Sequence, residues 1–192
     1  YVSEPVTGHG LAANASSSLQ RTQTGYHVYT NDRGFRTPTP GETAGQRDLA
    51  MIGCSWVMGV GVEFEDCFSA RISDATGLSL ANLGVGSFSL LQCLLRLEHH
   101  IELIRPKYVV MAFASWHVDR SLKGIALGSI LYRPVFMRDV QTGELVMRTY
   151  NPLPLSLVRA YSLSNRYLGE AAAFGPRYIY EYIRMRVLEA YC

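Results

Sequence analysis

The chain has 192 residues, 48% hydrophobic and 18% charged, with a formal net charge of +2. That is length enough for one domain with a sizeable core. The composition excludes a disordered chain, and so small a net charge gives no warrant for affinity to nucleic acid or to a membrane surface. No apolar run is long enough to span a bilayer. The cysteines at 54, 67, 93 and 192 show neither a C-x-x-C pair nor metal-like spacing with histidine. No disulfide framework and no metal site are therefore expected, and Cys54 and Cys93 read as small hydrophobes. The chain opens on Tyr1 without a signal-peptide pattern, which reads as a processed or trimmed start and leaves the compartment undefined.

In chain order, residues 1–24 are small and polar and read as a weakly structured lead-in. Tyr26–Thr30 alternates like a half-buried strand, and Asn31-Asp32-Arg33-Gly34 makes the turn after it. Thr37-Pro38-Thr39-Pro40-Gly41 is a loop. The short apolar run Leu49–Gly53 is a buried strand. Phe64, Phe68, Ile72 and Ala75 then predict one apolar face of a helix over 64–76, closed by Gly77. Leu78–Asn82 is the next strand, with Gly84-Val85-Gly86 as its exit. Phe88, Leu91, Leu95 and the 101–104 patch predict a second helix, stopped by Pro106 before the strand Tyr108–Phe113. Farther on, 135–137 and 145–147 read as a hairpin turning through 141–143, and 151–154 as a break. Two helices follow, the second opened by Gly175-Pro176.

Apolar strands separated by amphipathic helices predict a parallel sheet covered on both faces. Three divisions follow: residues 1–46 as an N-terminal extension with a β-hairpin, 47–120 as an α/β core, and 121–192 as a hairpin and helical appendage. Right-handed crossovers bring parallel strands out at one edge, with neighbours only ~4.8 Å apart. Ser55, the 84–87 loop and Ser115-Trp116-His117 are therefore expected to line one pocket. A serine hydroxyl there is a candidate nucleophile, given a base, and backbone N–H groups of a glycine-rich loop are candidate oxyanion donors.

These residues resemble the SGNH (GDSL-type) hydrolases, a family of esterases, lipases, acyl hydrolases and carbohydrate acetylesterases, over about 26–120. Gly53-Cys54-Ser55 resembles the first block, usually Gly-Asp-Ser, whose serine is the nucleophile. Asn82-Leu83-Gly84-Val85-Gly86-Ser87 resembles the second, whose last position is usually an oxyanion-hole glycine. Asn31 to Arg36 resembles the family's Asn-x-x-Gly-Phe/Leu-Arg lead-in, and Gly59 to Glu63 and Gln92 sit where its pattern expects them. The resemblance implies a flavodoxin-like, three-layer α/β/α sandwich with no cofactor. It also implies a small-molecule ester substrate, such as an acetylated carbohydrate, with Ser55 as nucleophile and Ser87 with Gly86 at the oxyanion hole.

The departures matter as much. The third block, Gly-x-Asn-Asp, falls on Ala114-Ser115-Trp116-His117, so Trp116 stands where an oxyanion asparagine is usual; its indole N–H is a donor of different geometry. The family's Asp-x-x-His block, which supplies the base, has no counterpart, since no histidine follows position 117. The strand 108–113 would also be left at a sheet edge, so a chain short of its later strands is expected, or cover from 121–192 or another subunit. His117, with Asp119 two residues on, is a candidate surrogate base or oxyanion donor; it also reads as a loop histidine bonded to backbone. A catalytically silent domain that binds a ligand or partner is the alternative function.

Overall fold

The computed structural model describes residues 1–19, 25–121, 133–139 and 141–148. In chain order the elements are β1 (Val2–Glu4), β2 (Gly8–Gly10), β3 (Ser16–Leu19), β4 (Tyr26–Thr30), β5 (Arg36–Thr37), β6 (Leu49–Gly53), α1 (Ser55–Met58), a 3-10 turn (Phe64–Asp66), α2 (Phe68–Thr76), β7 (Leu80–Asn82), α3 (Leu90–Ile104), β8 (Tyr108–Ala112), α4 (Ser115–Ser121), β9 (Val135–Arg138) and β10 (Leu145–Arg148). The break expected at 151–154 and the helices after it lie outside the described residues.

Six strands form one mixed sheet in the order β3-β4-β5-β7-β6-β8. β6 pairs in parallel with β7 on one side and with β8 on the other, Gly53 standing opposite Ala112. β3, β4 and β5 extend the sheet antiparallel. The sheet is thus not parallel throughout, and the residues read as an extension and as a core share it. β6 is buried along its whole length. That is why it reads as a continuous apolar run, while β4, buried on one face only, alternates.

Residues 1–19 of the lead-in are structured, contrary to the reading of its composition. β1 and β2 form a hairpin, and β3 pairs with β4. All four side chains of β3 are exposed, so this edge strand needs no apolar pattern and its small polar residues do not betray it. The apolar face expected for 64–76 is likewise not the buried one. Phe68 and Ile72 are exposed, and Ser69 and Ala70 are the buried residues of α2. The physical reason is polar: Ser69 Oγ donates to the Val57 carbonyl (3.3 Å) and accepts from Asn82 Nδ2 (3.0 Å), which turns the small face inward. β8 is apolar as expected yet exposed at Tyr108, Val109 and Val110, as befits a strand at the end of the sheet order. The hairpin expected near 135–147 is present as β9 and β10.

Arg36 holds these pieces in register. Its buried guanidinium donates through Nη1 to the carbonyls of Met58 (2.7 Å) and Gly59 (2.6 Å) and contacts Cys67 Sγ (3.2 Å). Through Nη2 it donates to the carbonyls of His27 (2.9 Å) and Val62 (2.8 Å). The end of α1, β4 and the loop after α1 therefore hang on one cation, whose charge also suits a helix C-terminus. Asn31 prepares it, its Oδ1 accepting from the N–H of Arg33 and of Phe35. Gly34, at φ +70°, presses on Leu11, whose carbonyl oxygen a Cβ would overlap.

Arg36→Met should destabilise the fold by more than about 3 kcal/mol, because several buried carbonyls lose their donor. Arg36→Lys, which keeps the charge without the fork, should recover only part of that. Urea denaturation at unchanged m reads both. A second prediction concerns His100, packed edge-on against Phe35 at 4.8 Å. Burial, helped by Arg96, pushes its pKa down to about 4 from the usual 6.5. The unfolded chain takes up that proton first as pH falls. His100 therefore favours the fold fully above about 6.5 and loses that contribution progressively toward pH 4. A His100→Phe variant should show a shallower fall in stability across that window in thermal melts.

Candidate active site

The parallel pairing of β7, β6 and β8 brings their three carboxyl-end exits to one side of the sheet, as expected. Ser55 begins α1 directly after β6 and Cys54, and is half-buried. α1 is a single turn closed by Gly59 at φ +81°, whose N–H reaches the carbonyls of Ser55 and Trp56. A Cβ at Gly59 would overlap Cys67 Sγ and stand 2.6 Å from Arg36 Nη1, so the turn closes only with glycine there. The Ser55 hydroxyl makes one long contact, to Cys54 Sγ at 3.8 Å.

The 84–88 loop is laid against the start of this turn. Val85 N–H donates to the Gly53 carbonyl (3.2 Å). Asn82 accepts from Gly84 N–H (3.0 Å) and donates to the Val57 carbonyl (2.8 Å), tying the end of β7 to α1. A Cβ on Gly84 would overlap the Met58 amide nitrogen and lie 2.7 Å from the Val57 carbonyl carbon. Ser87 has φ +67°, a left-handed conformation that costs a non-glycine residue about 1–2 kcal/mol. Its carbonyl is held by Arg133 through Nη2 (2.8 Å) and Nε (3.2 Å). Burial, then the nearby Arg120, lowers the Arg133 pKa to about 10. Neither the Ser87 N–H nor the Ser55 N–H meets an acceptor among the described residues.

His117 is not on a loop: it lies in α4 and is only 2% exposed. Its Nδ1 accepts from the Ala114 N–H (2.9 Å), and its Nε2 is buried without a partner among the described residues. Nδ1 also lies 3.2 Å from the Ala114 carbonyl oxygen, so Nε2 is a donor when Nδ1 accepts from the amide and an acceptor when Nδ1 donates to the carbonyl. Burial lowers its pKa and so favours the neutral ring. Service as a base requires the proton on Nδ1, toward the Ala114 carbonyl. Trp116 is exposed and packs edge-to-face on Trp56 at 5.2 Å, so the first residues of α1 and α4 adjoin.

Two polar residues at this end, Arg133 and His9, escaped the sequence reading of the site, and a third, Gln92, entered it only through its place in the family pattern. Arg133 carries no local pattern. His9, buried, meets the Gly86 carbonyl from the N-terminal hairpin. Gln92 belongs to a capping box with Ser89 that opens α3, and the Ser-x-x-Gln spacing is the signal that marks it. A shallow cleft lies elsewhere, between β5 and β7, lined by Phe35, Arg36, Glu42, Arg47 and Asn82 among others; Ser55, Ser87 and His117 are not part of it. No group of three or more His, Cys, Asp or Glu side chains suited to a metal occurs among the described residues. Among them, too, no helix is long and apolar enough to cross a membrane.

Comparison with known proteins finds no family model that matches the chain, no matching curated protein and no matching solved structure.

Gly84→Ala should be the most damaging small change at this end, because its clash is with backbone that cannot step aside. A loss of about 3 kcal/mol is expected. Gly86→Ala meets only the phenol end of Tyr1 and should cost far less; chemical denaturation of the pair checks the contrast.

Proposed function

We propose that residues 26–120 form the core of a serine hydrolase of SGNH type, a three-layer α/β/α sandwich that cleaves a small ester such as an acetylated carbohydrate. The observation that carries this reading is the pair of backbone donors, the Ser55 and Ser87 N–H groups, which find no acceptor among the described residues on the side of the sheet where the Ser55 hydroxyl lies. The order of the sequence blocks supports it independently.

In this reading the Ser55 oxygen bonds to the ester carbonyl carbon as its proton passes to a base. The carbonyl oxygen takes the negative charge and meets the two N–H donors, each worth on the order of 3 kcal/mol in the barrier. Collapse expels the alcohol, which regains the proton, and water then releases the acid from Ser55. The base in this reading comes from outside the described residues, or from His117 with its proton on Nδ1 toward the Ala114 carbonyl. His117 and Trp116 suit assistance to the oxyanion or shielding of the site.

One observation favours a second reading, a silent domain that binds a ligand. Trp116 stands where the family usually has an asparagine. A fluorophosphonate probe separates the two. It should add one label to the 192-residue chain, on Ser55, and Ser55→Ala should remove it. A folded chain that stays unlabelled favours the silent domain.

A further inference from the structure

The N-terminal hairpin reaches the oxyanion loop through one buried histidine. His9 is only 2% exposed, and its Nε2 lies 3.1 Å from the Gly86 carbonyl oxygen. Its Nδ1 lies 3.3 Å from Gln92 Nε2. The orientation of that amide is settled by its other bonds. Gln92 Oε1 accepts from the Ser89 N–H (2.9 Å), and Nε2 donates to the Thr7 carbonyl (2.7 Å). An amide NH2 facing Nδ1 makes Nδ1 the acceptor, so the neutral ring carries its proton on Nε2 and donates it to Gly86.

Gly86 C=O and Ser87 N–H belong to one planar trans peptide and point in opposite directions. Whatever holds the oxygen therefore aims the hydrogen. The next peptide is held in the same manner, the Ser87 carbonyl by Arg133. A strained, left-handed Ser87 is thus gripped on both sides by carbonyl bonds from outside its loop, while its own N–H is left without an acceptor among the described residues. Strain kept in place by such supports is a mark of working geometry.

We infer that His9 is a positioning residue, whose bond to the Gly86 carbonyl, steadied by Gln92, orients the Ser87 N–H as an oxyanion donor and makes the β1–β2 hairpin a working part of the site. The inference rests on the proposed acyl-transfer reading for what the N–H does, and on geometry alone for how it is aimed. Edge-on packing of His9 against Phe88 at 5.1 Å means that an aromatic replacement can keep the shape while removing the donor.

The test uses the 192-residue chain carrying His9→Phe, which removes the donor, and His9→Gln, which restores an N–H. Two quantities are read: the amide proton shift of Ser87 by NMR, and the saturating rate of fluorophosphonate attachment to Ser55. His9→Phe should move the Ser87 amide resonance and slow attachment roughly 10²-fold, the scale of a misplaced catalytic group, with probe affinity unchanged. His9→Gln should return both toward the wild type. If His9→Phe does not fold in a thermal melt, Gln92→Met, which leaves the ring but frees its tautomer, should change both quantities in the same direction. An unmoved Ser87 resonance and an unchanged rate in a folded variant overturn the inference. A resonance that moves and is rescued, in a wild-type chain that the probe never labels, upholds the positioning and defeats the hydrolase reading instead.

Discussion

A single buried guanidinium, that of Arg36, joins the antiparallel and parallel halves of the sheet to the turn that carries Ser55. Its partners are mainly carbonyls at the end of α1, on β4 and in the loop between α1 and α2. A one-turn helix has too few internal hydrogen bonds to hold its own direction. Here the direction comes from outside, through the carbonyls that such a turn leaves open at its end. The antiparallel strands are therefore more than an extension of the sheet. β5 places Arg36 beside β7, and β4 supplies one of the carbonyls it binds.

The opposite end of the parallel strands is tied in another way. Asp48, just before β6, ion-pairs with Lys107 at 2.7 Å and accepts from the hydroxyl of Ser79 at 2.7 Å. Its carbonyl receives the N–H groups of Lys107 and Tyr108. The carboxyl is held well below the usual range by the Lys107 and Ser79 hydrogen bonds. One residue thus gathers the starts of all three parallel strands at the surface, where such a pair is individually weak. At the far end the same strands open into loops braced by buried groups, which bind more firmly because water does not compete.

Much of the fold was legible because burial leaves a repeating trace. Leu49–Gly53 is apolar throughout because both faces of β6 are covered, and Gly77 closes α2 in the left-handed conformation its position suggests. The trace fails where polar groups do the packing. Phe68 and Ile72 dominate any count of apolar spacing, yet Ser69 and Ala70 face inward, because Asn82 and the Val57 carbonyl need a hydroxyl partner. Edge strand β3 leaves no trace, since none of its side chains is buried. The candidate site divides along the same line. Ser55 and the 84–87 loop announce themselves by glycine and position, and Gln92 by the Ser-x-x-Gln spacing of its capping box, whereas His9 and Arg133 act through main-chain carbonyls, which no spacing rule registers. His117 was legible as a residue to watch, but its helical setting and its burial were not.

The contact between Trp56 and Trp116 has an optical consequence. The chain has two tryptophans, and they meet edge-to-face at the mouths of β6 and β8. Emission excited at the red edge, where indole absorbs and the twelve tyrosines do not, therefore originates at one corner, and the dichroism of the coupled indoles reports the same spot. A colour change there is local news, arriving without any label.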